Sequence, residues 1–382
     1  MRNINIKSCD KTLLLICIIL MIFGLALQLD IGSSRGGEYS LVNFKKQVVW
    51  FLVSLPAMII IAHFKKLFEL LNKYSFFLLL LTIILLVLVL MIGSTQKGGT
   101  RWLRFGGIGI QPSMVASITL ILYTAKILDK KKLYLERSTF INFIKDFLPL
   151  LIIIGIVFGL IYAEKHLSTL IVISIAILSM LFMAQVRIST LILAVLLIGS
   201  LSLFLIKYGK EDYRSSRMDM FSHYSLYHKF LGIKASETQA DDYQIKESLT
   251  AITHGNIFGT GNAKGRAKHY FLPDAKSDYI FAIIAEQYGF LGALLIIFLY
   301  TFIVIKSLNH SIKTDNLFLQ LVGVGLSLNF FLPAMVNIGV SISALPPTGL
   351  NLPFLSYGGT SFLMNAINMG LILNLSVIAK GV

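Results

Sequence analysis

The chain is 382 residues long and 56% hydrophobic, with 14% charged residues, 27 Phe and a mean hydropathy of +0.78. Soluble domains carry about 25% charged residues, so this composition excludes a soluble enzyme, a disordered chain and a secreted disulfide scaffold. The net charge of +15 does not call for nucleic acid, because membrane proteins collect Lys and Arg in their cytoplasmic loops.

An all-α polytopic membrane protein remains, a single integral membrane domain over 1–382. A helix needs roughly 20 apolar residues to cross a bilayer. Ten segments meet that requirement: Thr12–Gln28, Val48–Ala62, Tyr74–Ile92, Pro112–Ala125, Phe147–Ala163, Ser168–Ala184, Ile188–Ile206, Tyr279–Ser307, Leu317–Val340 and Tyr357–Ile378. The first apolar run is long and no small-residue cleavage site follows it, so it reads as a retained helix and not as a signal peptide. Cys9 and Cys17 lie just before and within that run and imply no disulfide framework.

Basic residues orient the spans. With the N-terminus inside, the cytoplasmic segments hold 16 of the 34 Lys and Arg and the short outer loops hold 7. The remaining 11 fall in one long segment, about Lys207 to Asp278, which does not vote on orientation. Both termini are therefore expected in the cytoplasm, and segment 207–278 is expected to be a large extracytoplasmic loop before the eighth span. Within that loop, Ile245–Ile252 has the pattern of a short amphipathic helix.

Three acids stand at or inside the apolar segments: Glu164, Asp278 and Glu286. An ionisable group at membrane depth is costly and marks function by default. Asp278 stands where the outer loop enters the eighth span, in a semi-dry setting that suits a carboxylate to general-base duty. The same position also suits a helix cap. Glu286, about two turns on, reads as a buried hydrogen-bonding strut. Arg101 and Arg104 flank Trp102-Leu103 in the second outer loop, where two guanidinium groups suit a phosphate partner or an interfacial anchor. Lys264 and Arg266 form a second basic cluster. Leu345-Pro-Pro-Thr-Gly through Pro353-Phe-Leu-Ser356-Tyr-Gly358-Gly359 forces irregular backbone between the last two spans, which is tolerated at depth only where it is buried or walls a cavity. No metal-ligand cluster or nucleotide fingerprint is present.

At this point the motifs resemble the SEDS family of shape, elongation, division and sporulation proteins. The motifs are Arg101-Trp-Leu-Arg through Gln111-Pro112-Ser113; Tyr243-Gln-Ile through Gly255–Gly261 to Leu272-Pro273 and Ser277-Asp278-Tyr-Ile-Phe-Ala-Ile-Ile-Ala-Glu286; and Asn337-Ile-Gly-Val followed by the Pro/Gly-rich turn. The resemblance implies a peptidoglycan glycosyltransferase that polymerises lipid II into β-1,4 glycan at the outer face of a bacterial inner membrane. It also implies a class B penicillin-binding protein as partner. It places the essential carboxylate on Asp278, and substrate contacts on Arg101, Arg104, Gln111, Lys264, Arg266 and Ser356. Glu286, Pro273, Pro353, Gly358 and Gly359 shape the cavity. A divalent cation, Mg or Mn, is compatible with such chemistry, although the sequence shows no ligand set for one.

Three departures stand out. Met114 and Ser117 replace a Glu and a Lys usual in the family. Glu164-Lys-His166-Leu-Ser168-Thr169 replaces an acidic-Pro-Asp-x-Gly motif and leans toward the division and sporulation branch. Leu29-Asp30-Ile-Gly-Ser-Ser replaces a Tyr-Ser-Ala-Ser. Two other classes fit ten spans: a lipid II flippase, and a non-catalytic scaffold that activates the transpeptidase. A flippase needs polar groups along its whole depth, whereas the acids here gather toward the outer side. A scaffold would tolerate Asp278→Asn.

Overall fold

The computed structural model describes residues 9–34, 38–96, 99–105, 108–135, 140–196, 199, 243–261, 265, 267 and 277–379. The helices run α1 Lys11–Ser34, α2 Glu38–His63, α3 Leu67–Ile92, α4 Pro112–Lys130, α5 Lys132–Leu135, α6 Phe140–Ala163, α7 Leu167–Met183, α8 Tyr243–His254, α9 Ile280–Ile312, α10 Leu317–Ser341 and α11 Gly359–Ala379. Seven of those described (α1, α2, α3, α6, α9, α10 and α11) are long and apolar enough to cross a membrane. At 1.5 Å per residue, even the shortest of the seven spans about 30 Å. Helix α4 coincides with the fourth expected span and continues to Lys130, and α7 is the shorter apolar helix Leu167–Met183. The expected span Ile188–Ile206 is helical over 188–196 and lies otherwise almost wholly outside the described residues.

Burial sorts the helices into centre and rim. In α10 and α11, 61% of the most apolar window is enclosed, against 17% in α2 and 28% in α3. Helix α10 packs on α4, α7, α9 and α11, and α11 packs on α2. The rim helices turn Leu52, Ile60, Phe77 and Leu81 outward, the side that faces lipid in a chain of this composition.

The structure adds one element that the all-α expectation lacks. Between α3 and α4 the chain forms a three-stranded antiparallel sheet, β1 Ser94–Gln96, β2 Gly99–Phe105 and β3 Ile108–Ile110, in the order β1-β2-β3. Leu103 pairs with Ile110 and Arg104 with Gly109. Thr100, Trp102 and Phe105 are residue types that fit a pleated surface, and Leu103 turns inward, 2% exposed. The sheet marks one end of the bundle, here called the sheet end, where α1, α3, α6 and α10 finish and α2, α4, α7, α9 and α11 begin.

Two features hold the bundle lengthwise. At the end opposite the sheet, Asp10 caps α1 by accepting from the Thr12 and Leu13 amides at 3.0 and 3.2 Å. It also pairs with Lys306 at 2.8 Å and His310 at 2.7 Å on α9, and its amide donates to Ser376 on α11 at 3.1 Å. Burial disfavours charge on Asp10, but the hydrogen bonds from Lys306, His310 and the Leu13 amide outweigh it and hold the carboxyl at about 2.

Toward the sheet end, α9 is broken at Gly289, whose backbone (φ 68°, ψ −168°) is essentially glycine-only. Two of the helical bonds that would cross the break, from the Phe290 and Leu291 amides to the Glu286 and Gln287 carbonyls, are replaced by bonds to residues 256–261. The Thr260 and Gly261 amides donate to the Glu286 and Gln287 carbonyls at 2.9 and 3.1 Å. The Phe290 and Leu291 amides donate to the Asn256 and Ile257 carbonyls at 2.8 and 3.2 Å. The first half of α9, residues 280–287, is thus a separate short helix, and all eight of its residues are buried.

Candidate active site

Asp278 sits in the turn that starts this half-helix, 9% exposed. The structure grips its backbone from two sides. The Asn337 amide, one turn from the end of α10, donates to the carbonyls of Asp278 at 3.0 Å and Leu350 at 2.8 Å. The Ser356 hydroxyl donates to the Ser277 carbonyl at 2.6 Å and accepts from the Leu352 amide at 2.9 Å. Ser356 is 2% exposed, so its hydroxyl is committed to protein partners.

The turn around Pro353 is itself fixed. The Tyr300 hydroxyl on α9 donates to the Pro353 carbonyl. Gln28 on α1 donates to the Leu355 carbonyl at 3.3 Å. A Cβ on Gly24 would stand 2.0 Å from the Phe354 carbonyl oxygen, so only glycine lets α1 approach so closely. The Gly358 amide meets Gln47 at 3.4 Å, and Gly359 starts α11 against the Trp50 indole. This irregular apolar segment is buried in protein, the condition under which a membrane tolerates it.

Glu286 is 1% exposed and accepts from the Ala267 amide at 3.0 Å. Its carboxylate ties Ala267 to the half-helix.

A second polar cluster lies under the sheet. Arg101 on β2 donates to the Glu164 carbonyl at 3.3 Å and the Lys165 carbonyl at 2.5 Å. Those carbonyls belong to the tight connection between α6 and α7, where Lys165 is left-handed (φ 62°). Around the His166 Nδ1 gather the Gln111 amide at 3.2 Å and the hydroxyls of Ser113 at 3.1 Å and Thr169 at 3.0 Å. Gln111 stands at the N-cap of α4, before Pro112 at its first position, yet its side chain reaches His166 and does not cap the helix. Burial drives the His166 imidazole down to about 3, with the Arg101 charge acting in the same direction, so the ring is neutral.

Glu164 is 0% exposed, and neither of its carboxyl oxygens has a hydrogen-bond partner within normal geometry. Burial raises its carboxyl to about 8, against the pull of the adjacent Ser113 hydroxyl and Arg101 guanidinium.

Arg104 is exposed on β2. Lys264, Arg266 and Pro273 lie outside the described residues. Between the two clusters is a cavity of about 50 Å³ lined by Met114, Ser117, Thr169, Asn329, Asn351 and Asn365, among others. No charged side chain lines it, and Leu350, whose carbonyl Asn337 holds, forms part of its wall. Among the described residues no group of three or more His, Cys, Asp and Glu gathers as a metal site.

Sequence reasoning quoted Asn337 and His166 only within motifs and assigned neither a place in the site. An amide inside an apolar helix is the one local signal that singles out Asn337. The partners of His166 carry none.

The chain is similar to the probable peptidoglycan glycosyltransferase FtsW of Coxiella burnetii, with 33% identity over 80% of this chain and 79% of that one. It is 29% identical to the Geobacter sp. protein of the same name over 99% of both chains, and 30% identical to stage V sporulation protein E of Bacillus subtilis over 97% of both. Among solved structures, the fold matches a chain from a study of polymerization and crosslinking by a peptidoglycan synthase complex (TM-score 0.75, 20% identity, 97% of this chain and 98% of that one). It also matches the rod shape determining protein RodA of Thermus thermophilus (TM-score 0.67, 19% identity, 97% of each chain). The profile of the FtsW, RodA and SpoVE cell cycle proteins matches residues 8–381, and the chain is accordingly a multi-pass membrane protein of that family, on its FtsW/SpoVE-like side.

Proposed function

We propose that this chain is a peptidoglycan glycosyltransferase that polymerises lipid II at the outer face of the bacterial inner membrane, with Asp278 as general base. The observation that carries the reading is Asp278 itself, held at the sheet end by bonds to its own carbonyl and to that of Ser277. Ten spans, both termini in the cytoplasm and a large outer loop over 207–278 complete the proposed topology. The sheet end is then extracytoplasmic.

In the proposed reaction the Asp278 carboxylate takes the proton of an acceptor sugar 4-hydroxyl. The hydroxyl oxygen attacks the anomeric carbon of the donor, and the bond to undecaprenyl diphosphate breaks. The diphosphate leaves as an anion and the α linkage inverts to β-1,4. One carboxylate suffices, because an inverting displacement needs no covalent intermediate. Arg104 and Arg101, with Lys264 and Arg266 of the outer loop, would supply positive charge for the diphosphate. Gln111 and Ser356 would act at the site through the protein bonds described above. A class B penicillin-binding protein is the proposed crosslinking partner.

The placement of buried ionisable groups favours chemistry at one face over transport. Among the described residues, the buried Asp, Glu and His side chains lie toward the ends of the bundle, those of Glu164, His166, Asp278 and Glu286 near the sheet end and those of Asp10 and His310 near the other.

The test is glycan synthesis from lipid II by the purified protein with its penicillin-binding partner, wild type beside Asp278→Asn. Long glycan from wild type and none from the variant is the expected outcome. Glycan from both would remove Asp278 from the chemistry. Product from neither, in a folded preparation, would return the scaffold and transport readings.

A further inference from the structure

The half-helix that starts at Asp278 does not inherit its direction from the membrane-spanning part of α9, because the helix is cut at Gly289. Something else must aim it. The ladder to residues 256–261 fixes its far end, and Glu286 holds the outer segment. A third contact comes from α1: the Gln287 side-chain amide, 2% exposed, donates to the Asp30 carboxylate at 2.6 Å. Phe23 on α1 stacks edge-on against Tyr288 beside it, with ring centroids 5.4 Å apart.

Helix α1 also sets the Pro353 turn, through Gln28 and the close approach at Gly24. That turn grips Ser277 through Ser356. One helix therefore touches both bodies between which Asp278 is held. We infer that Asp30 is a positioning residue: by fixing Gln287 it sets the angle of half-helix 280–287, and so places the Asp278 carboxylate relative to the turn. A bond to an ionised acceptor is about twice as strong as a neutral one, which suits it to that task. Asp30 lies in the segment where this chain departs from the motif usual after the first span.

The inference rests on the glycosyltransferase reading for its kinetic arm alone. Polymerisation of lipid II is measured for wild type, Asp30→Leu, Asp30→Asn, Gln287→Leu and the Asp30→Leu/Gln287→Leu pair, each with its penicillin-binding partner. Asp30→Leu should lower kcat about tenfold with the apparent KM for lipid II within about twofold. Asp30→Asn, which keeps an acceptor, should recover most of that loss. The double variant should be no slower than the slower single one, as expected for residues acting through one contact. In parallel, hydrogen exchange over residues 280–287 should speed up in Asp30→Leu and stay near wild type in Asp30→Asn.

Unchanged kcat, a loss confined to KM, or additive losses in the double variant would overturn the inference. So would unchanged exchange over 280–287. If the wild type itself makes no glycan, the glycosyltransferase reading falls, and the exchange comparison alone decides whether Asp30 aims the half-helix.

Discussion

Glu164 shows how a single side chain can load the fold. Its carboxyl is enclosed without a hydrogen-bond partner, and burial raises it from the usual 4.5 to about 8. Between those values the folded chain keeps a proton that the unfolded chain has released. The contribution of Glu164 to stability is therefore greatest below pH 4.5, falls as pH rises through the window, and levels off above about 8. Gln has the same shape without the ionisation. Glu164→Gln should leave the melting temperature near wild type at pH 5 and raise it by at least about 2 °C at pH 8. Melting curves at the two pH values check this, and an equal shift at both would mean that ionisation is not the cause. Asp278 and Glu164 were legible in the sequence as acids at the edge of apolar runs. The setting of Glu164 was not, because the Gln111 and Ser113 that crowd His166 are 55 and 53 residues away from it along the chain. No periodicity links such positions.

The long helices were legible because an apolar run has few other uses at that length. Expected and observed ends differ by several residues where polar turns extend the helix beyond the apolar run, as when α4 continues to Lys130 and α6 begins at Phe140. The sheet was not legible: two of its strands are three residues long, too short for alternation to register, and the surrounding glycines read as loop. The break in α9 was hidden for another reason. Gln287-Tyr288-Gly289 lies inside an apolar stretch, and the groups that replace the missing helical bonds come from 256–261, on the far side of a long connection. Gly289→Ala should cost about 1–3 kcal/mol, because its backbone region excludes a Cβ and the Ile257 carbonyl stands 2.4 Å from where that Cβ would be. Gly155→Ala on α6, where no atom lies within 4 Å, is the matched control. Thermal melting of the two variants separates backbone strain from mere loss of a glycine. Equal melting points would show that the break does not depend on Gly289.

At the scale of the whole molecule, the outward apolar surface does not stop with the spans. Ile257 and Phe258, 58% and 80% exposed, sit on the chain that patches α9, beside Phe290, Leu291 and Leu294, which are 62%, 50% and 48% exposed. In a membrane-spanning chain, an exposed apolar surface next to a span is expected to meet lipid. Phe258→Trp in vesicles should therefore be quenched by brominated acyl chains and shielded from aqueous acrylamide. The reverse pattern would place the 256–261 segment in water. The architecture was legible as a bundle of apolar helices, because composition and span length report on solvent. How one end is assembled was not, since that depends on which distant segments share hydrogen bonds. The four bonds that splice residues 256–261 into α9 run from main chain to main chain. Such a joint reads few side chains, the Thr260 hydroxyl that donates to the Glu286 carbonyl at 3.1 Å being one. Relatives that keep glycines where 259 and 289 meet could replace nearly every other residue of the splice and still hold the half-helix in register. A search for kinship there by residue identity would underrate how much of the machinery is shared.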